Sequence, residues 1–305
     1  MNDCDEVALV RELRLGTVSP SALVEVAART GALADAGLHV VEVPASSSRQ
    51  QFAALLDGEL DAVVTNPDNV VAYRCVADNP LGRLGDVRIL AALDRGLGLS
   101  LFAAPGVTDL QDGTLGVDVP GSGFAFVAYE LLQRLGIRYG VTALGSTPRR
   151  ATALLTGGCT MTVLNAGNEL RAEHRGARRL ASVTDIGPYI GAVLAATGDS
   201  LRRNAFDLRS LVGVLLRTAR DIVTGRRPEL LLAAVQDRLA FDEYLARRHI
   251  AVLTSDGTGL TPYGRFRDAE LRTVLELRNR HTKAELDART VLAHGLIDTS
   301  LLPTH

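Results

Sequence analysis

Ala54-Leu55-Leu56-Asp57-Gly58 closes a helix-like stretch, and the strand-like Asp61-Ala62-Val63-Val64-Thr65 and the polar turn Asn66-Pro67-Asp68-Asn69 follow it. The block returns 99 residues further on as Ala153-Leu154-Leu155-Thr156-Gly157. At that offset Val163 stands for Val64, Asn165 for Asn66 and Asn168 for Asn69. Chance easily gives an Ala-Leu-Leu match between two helices. It explains less well a helix, a strand and an Asn turn held in one register. Self-similarity of this kind predicts two like α/β lobes.

Strand-like and helix-like segments alternate outward from this block. Leu13 to Val18 reads as a strand, broken by Ser19-Pro20-Ser21, and Ala22 to Ala36 as a helix stopped by Gly37. His39 to Val43 is strand-like, and Ser46-Ser47-Ser48 can cap a helix over Arg49 to Leu56. Strands alternating with helices imply βαβ units and a mainly parallel sheet. Val87 to Ala104 reads as two strands joined near Arg95 to Gly98, suited to carrying the chain between lobes. The second round comprises a strand over Thr114–Val119, the turn Pro120-Gly121-Ser122-Gly123, a helix over Phe124–Leu135, and strands over Tyr139–Leu144 and Thr160–Leu164. Beyond Asn204 the pattern is helical, around Leu208–Thr224, Pro228–Arg247 and Arg267–Arg280. The expected division is a first lobe over 1–90, a crossover over 91–108, a second lobe over 109–183, and a return over 184–305 ending in helices.

Composition removes several function classes. The 305 residues carry 33 Lys+Arg against 35 Asp+Glu, a formal net charge of −2, with 4 % aromatics and no Trp. That balance argues against a nucleic-acid surface, which is normally strongly basic. No apolar run reaches the roughly 20 residues that span a bilayer. Cys4, Cys75 and Cys159 form no CxxC pair, and the six histidines lack metal-ligand spacing. Lys283 is the only lysine. Schiff-base chemistry would have to use it, in a polar stretch that reads as an exposed helix face. No metal and no cofactor are expected. The start Met1-Asn2-Asp3-Cys4-Asp5-Glu6 is acidic and lacks the basic and apolar regions of an export signal. The expectation is a cytoplasmic protein, or a periplasmic or extracellular one only if a leader was trimmed.

In open α/β sheets ligands bind at the carboxyl ends of the strands. Two facing lobes would line one cleft with those edges. The candidate binding residues there are Thr17, Ser19, Asn66, Asn69, Gly121, Ser122 and Asn165, with Tyr189 near the return to the first lobe. Gly121-Ser122 opens a helix, where free N–H groups and the helix dipole favour an anionic or strongly polar group; the competing reading is a plain Ser N-cap. Asn66, Asn69, Asn165 and Asn168 can orient a polar ligand or simply cap helices. Asp68 and Glu169 lie in the same loops and, with Tyr189, are the candidate acid–base groups.

The residues also resemble a known group, the type II periplasmic-binding-protein fold in its NMT1/THI5-like and alkanesulfonate-binding (SsuA-like) branch. The likeness is carried by Phe52 to Ala62, by Asp109-Leu110-Gln111-Asp112-Gly113-Thr114-Leu115-Gly116-Val117, and by Gly176 to Thr184. The helical tail with Leu271–Arg278 and Asp298-Thr299-Ser300 extends it over nearly the whole chain. The resemblance implies two α/β lobes around a central cleft and a C-terminal helical segment. It also implies contact with the bound molecule from the first loop, the Asn66 region, the Gly121-Ser122 turn and the loop after the return strand. Members include exported receptors for sulfonates, nitrate, taurine and thiamine precursors, which serve ABC permeases, and cytoplasmic enzymes, among them an aromatic sulfinate desulfinase and a pyrimidine synthase of thiamine biosynthesis. This chain departs from those enzymes. Thr17 or Ser19 stands where the desulfinase has its nucleophilic Cys, and the Cys-rich motif of the pyrimidine synthase is absent.

Two functions are therefore expected of the chain. One is binding of a small polar or anionic organic molecule between the lobes, with an ABC permease as partner only for an exported form. The other is a cytoplasmic enzyme on the same fold, of desulfinase, decarboxylase or lyase type, acting on a small organic acid or aromatic metabolite without metal or pyridoxal phosphate.

Overall fold

The computed structural model describes residues 11–303. Cys4, the acidic start Met1–Glu6 and His305 lie outside the described residues. The first round runs β1 (Arg11–Thr17), α1 (Ala22–Arg29), α2 (Ala32–Asp35), β2 (Leu38–Pro44), α3 (Ser48–Leu56), β3 (Ala62–Thr65), α4 (Pro67–Cys75) and β4 (Val87–Asp94). The second runs β5 (Ser100–Ala103), β6 (Gly113–Val117), α5 (Gly123–Arg134), β7 (Tyr139–Ala143), α6 (Thr147–Leu155), β8 (Met161–Leu164), α7 (Asn168–His174) and β9 (Arg178–Ser182). Strand β10 (Ala192–Thr197) returns to the first sheet. Helices α8 (Gly198–Arg203), α9 (Ala205–Val223), α10 (Pro228–Leu239), α11 (Glu243–Leu253), α12 (Asp268–His281) and α13 (Ala288–Ala293) complete the chain.

Two five-stranded sheets result, ordered β2-β1-β3-β10-β4 and β7-β6-β8-β5-β9. They share one plan. In each, three parallel strands are followed by an antiparallel one, β10 or β5, that has just crossed from the other lobe. The repeat read from the sequence is visible in the elements: α3 and α6, and β3 and β8, have bounds 99 residues apart.

Local sequence explains most element ends. Ser47 caps α3 by accepting from the Gln50 N–H at 3.1 Å, and Asn66 caps α4 by accepting from the Asp68 N–H at 2.9 Å, with Pro67 in the first turn. Two helices are shorter than their periodicity predicts. The stretch Ala22–Ala36 breaks at Gly31, whose φ is +76°, and Pro228–Arg247 breaks at Ala240, whose φ is +49°. Periodicity reports the apolar face of a segment, and a single left-handed residue redirects the chain without disturbing that face.

The first sheet is packed on one side by α1, α9, α10 and α11 and on the other by α3, α4, α12 and α13. The second carries α5 on one side and α6 and α7 on the other. Helix α12 joins the two lobes. Leu271 and Leu275 pack in the first lobe and Val274 and Leu277 in the second. Burying each such side chain contributes about 1.5–3 kcal/mol. No helix among the described residues is long and apolar enough to cross a membrane.

Candidate functional site

The chain crosses between lobes twice, after β4 and after β9, and the two crossings touch. A Cβ on Gly191 would lie 2.2 Å from the Gly96 Cα. Gly96, Leu97 and Gly98 all have positive φ, at +110°, +46° and +78°. For a leucine this conformation is strained, and such strain is commonly held at functional sites. Ala166, with φ +54°, donates its N–H to the Leu97 carbonyl at 3.0 Å.

Directly above these crossings lies a cavity of about 90 Å³. Roughly 10–15 Å³ on this measure holds one water, so the space suits a small organic molecule. Both lobes form its wall. Thr17, Ser19, Thr65, Asn66 and Asp94 come from the first lobe, and Phe124, Thr147, Asn165 and Ala166 from the second. Helix α11 adds His249 and Leu253. Apolar side chains, among them Val18, Leu23, Val64, Leu93, Leu97 and Leu260, supply much of the rest. Among the described residues, neither Arg nor Lys lines it.

The polar groups fall into two sets. Thr17 donates to Glu42 at 3.2 Å. Asn66 donates to the Tyr189 hydroxyl at 2.7 Å and the Gly191 carbonyl at 3.3 Å, while Asn165 donates to the Gly96 carbonyl at 3.1 Å. The Thr17 bond joins β1 to β2, and the Asn66 and Asn165 bonds tie the strand ends to the crossings. The second set is held in reserve: the Ser19 Oγ and the His249 Nδ1 are buried with no protein partner. A buried polar atom without a partner costs about 1–3 kcal/mol, which a ligand would recover. Asp94 accepts from the Gly96 N–H at 2.7 Å through one carboxyl oxygen. Burial pushes its carboxyl up to about 7, against backbone hydrogen bonds from Gly96 and Ala192. Burial holds the His249 imidazole down at about 4, so it is neutral at physiological pH.

A narrower gap of about 30 Å³ continues from the cavity and is lined by Asn69, Asp118, Ser122 and Arg150. Asn69 donates to Thr65 at 3.2 Å. Ser122 precedes α5, but its hydroxyl makes no cap bond and is buried without a partner. Arg150 is fully buried and donates to the Thr162 and Thr147 hydroxyls and the Gly145 and Val163 carbonyls at 2.7–3.3 Å. Burial lowers its guanidinium to about 10, and the nearby Asp118 charge works the other way. Asp118 in turn accepts from the Ser48 N–H at 3.1 Å, across the lobe boundary.

Five sequence candidates, Gly121, Asp68, Asn168, Glu169 and Tyr189, lie outside both spaces, Asn168 donating to the Asn165 carbonyl at 3.0 Å. Asp68 is held in a buried ion pair with Arg278, two contacts of 2.7 Å. The same guanidinium reaches the Gly121 carbonyl at 3.4 Å. Tyr189 is buried beside Asn66, and burial drives its hydroxyl well above its usual range. Glu169 packs under Gly98, both oxygens buried without a well-formed hydrogen bond, and burial raises it to about 8. Thr17, Ser19, Asn66 and Asn165 meet in the cavity, and Asn69 and Ser122 in the gap.

Sequence reasoning misses Asp94 and His249. Asp94 has a signal, because it is the one acid ending the apolar strand Val87–Asp94. Strand β4 runs in the same direction as β3, since both are antiparallel to β10. Its carboxyl end therefore faces the same edge. His249 has none: it lies in the helical tail and reaches the cleft only because α11 packs back on the lobes.

No known family profile matches the sequence, and no curated protein matches it in sequence. Solved structures do match in three dimensions. A Bordetella bronchiseptica protein superimposes with a TM-score of 0.77 at 16 % identity, covering 95 % of each chain. The ligand-binding component of an ABC-type import system from Staphylococcus aureus, with zinc bound, gives 0.75 at 13 % identity, covering 95 % of this chain and 97 % of that one. The alkanesulfonate-binding protein SsuA from Xanthomonas axonopodis pv. citri, bound to MOPS, gives 0.67 at 13 % identity over 96 % and 94 %. Such identities speak for fold alone. With two like sheets, two crossings and a cleft between them, the chain has the two-lobed fold of the periplasmic binding proteins.

Proposed function

We propose that the chain binds a small organic molecule between its lobes in the manner of a solute-binding protein, and that the lobes close over it about the Gly96–Gly98 and Gly191 crossings. One observation carries the reading. The cavity is walled by both lobes and presents buried, unpartnered polar atoms on Ser19 and His249, the pattern of a few placed polar groups in an apolar pocket. The import components among the structural neighbours support it at the level of fold.

The test is mass spectrometry of small molecules retained by natively purified protein, followed by titration of the recovered compound into Ser19→Ala and Asn165→Ala variants. Affinity is expected to fall about ten-fold in each, with unchanged circular dichroism. Equal affinity in both variants would place the binding site elsewhere.

A single observation favours a second reading, an enzyme on this fold. Asp94, whose carboxyl burial raises to about 7, and the neutral His249 both line the cavity, which suits each to exchange a proton with a bound molecule. Conversion of the retained compound on prolonged incubation, abolished by Asp94→Asn, would establish it. Recovery of the compound unchanged would leave binding as the function.

A further inference from the structure

The helix N-termini at the cleft invite an anion, yet the charges inside it are arranged against one. Among the described residues, no cation lines the cavity of about 90 Å³, and Arg238, in the wider groove that shares Thr17 to Pro20 with it, is paired with Glu42 at 2.8 Å. The buried guanidinium next to the cavity, that of Arg150, makes four hydrogen bonds to neutral oxygens of its own lobe. The negative charge that such a cation attracts is already supplied by the protein, in Asp118 at the same gap. A ligand anion would compete with that carboxylate and would also face Asp94 in the cavity wall. Desolvating a charge without a partner is costly, so this arrangement selects against anions.

What the cavity offers instead is acceptors. Asp94 accepts from the Gly96 N–H and is also approached by the Ala192 N–H, which leaves part of the acceptor capacity of its two oxygens, and the neutral His249 leaves its Nδ1 unused. The Asn165 amide spends its N–H on Gly96, which leaves its carbonyl side for another donor. Ser19 can accept or donate. Around them the wall is aliphatic and aromatic, with Leu93, Leu97, Phe124 and Leu253.

We infer, building on the cleft-binding reading above, that the ligand is an uncharged or singly positive compound with an apolar body and a hydrogen-bond-donating head, an amine or a hydroxyl, seated against Asp94. This replaces the anionic alternative expected from the sequence.

Three probes of nearly one size separate the possibilities: benzylamine, benzyl alcohol and benzenesulfonate, each titrated into the full chain at pH 8 and followed by amide chemical shifts. Benzylamine and benzyl alcohol should perturb Ser19, Phe124 and His249, with benzylamine binding at least ten-fold more tightly than benzenesulfonate. Asp94→Asn keeps the oxygen that accepts from Gly96, and it should weaken benzylamine about ten-fold while changing benzyl alcohol less than three-fold. A pH series on Glu169→Gln, which removes the hinge carboxyl that burial raises into the same range, gives the same answer with Asp94 intact. Between pH 6 and 8.5 benzylamine should bind more tightly as Asp94 ionises. Of the other groups around Asp94, Tyr189 titrates far above that range and His249 below it, while Arg95 lies against Glu270 at 3.4 Å. Benzenesulfonate binding in the cleft as tightly as benzylamine, or benzylamine affinity that ignores both pH and Asp94→Asn, would overturn the ligand class and leave the cleft reading standing. Failure of all three probes to perturb cleft residues of the folded chain would overturn both.

Discussion

Glu169 is a carboxyl in an unusual position. Both its oxygens are buried under Gly98, at the first crossing between the lobes, with no well-formed hydrogen bond and only the backbone N–H groups of Gly167 and Glu169 nearby. Burial raises it to about 8, helped by the like charge of Glu173 and opposed by Arg179 and local backbone N–H groups. The folded protein therefore holds this proton where the unfolded chain has released it. The associated stability is complete below the unfolded value near 4.5 and is lost as pH rises through about 8. Glu169→Gln removes the titration. Its melting temperature relative to the parent should climb from pH 5 to about pH 8 and level off above it. The gain in relative stability should reach a few kcal/mol, because a ten-fold difference in proton affinity between folded and unfolded chains is worth about 1.4 kcal/mol. Parallel melting curves across that range would show that the carboxyl does not hold its proton. Asp94 and His249 titrate in both proteins and cancel in the comparison.

At the scale of elements, the N-termini of α4 and α5 meet across the lobe boundary, and the meeting depends on one missing methyl. A Cβ on Gly123 would stand 2.1 Å from the Asn66 Oδ1 and 2.7 Å from the Asp68 Cβ. Gly123→Ala should leave α5 intact, since alanine is the better helix former. It should instead push the lobes apart. Small-angle scattering would then give a larger radius of gyration, and ligand affinity would drop more than ten-fold at a nearly unchanged melting temperature. An unaltered scattering curve would mean that the two helix ends do not govern closure. Much of this scale is legible in the sequence. The register shared by Ala54–Asn69 and Ala153–Asn168 marks two lobes of one plan, because helix ends, strand periodicity and Asn caps are local properties. The breaks at Gly31 and Ala240 are not legible, since nothing in the apolar spacing changes there. The strand-end polar residues that line the cleft are also accessible, through the rule that ligands sit at carboxyl edges. Asp94 escapes because its strand reads as a passage between lobes. His249 escapes because a helix far along the chain brings it in, and long-range packing leaves no mark on spacing.

For the whole molecule, the two crossings and α12 make the lobes interdependent. Strand β10 lies between β3 and β4, pairing Val193 with Thr65 and Ala192 with Asp94. The first sheet thus stays open until the chain has travelled through the second lobe and come back, whereas the second sheet is made entirely of β5 to β9. Pairings between distant residues close slowly. Pulse-labelling hydrogen exchange during refolding should protect the amides of β6 and β8 before those of β3, β10 and β4. Simultaneous protection of all five strands would argue for a single concerted step. On the ribosome the same topology sets a timetable. The lobe whose residues leave the tunnel first is the last to be finished, and it must wait, with the edges of β3 and β4 unpaired, for about a hundred residues of its sister to be made.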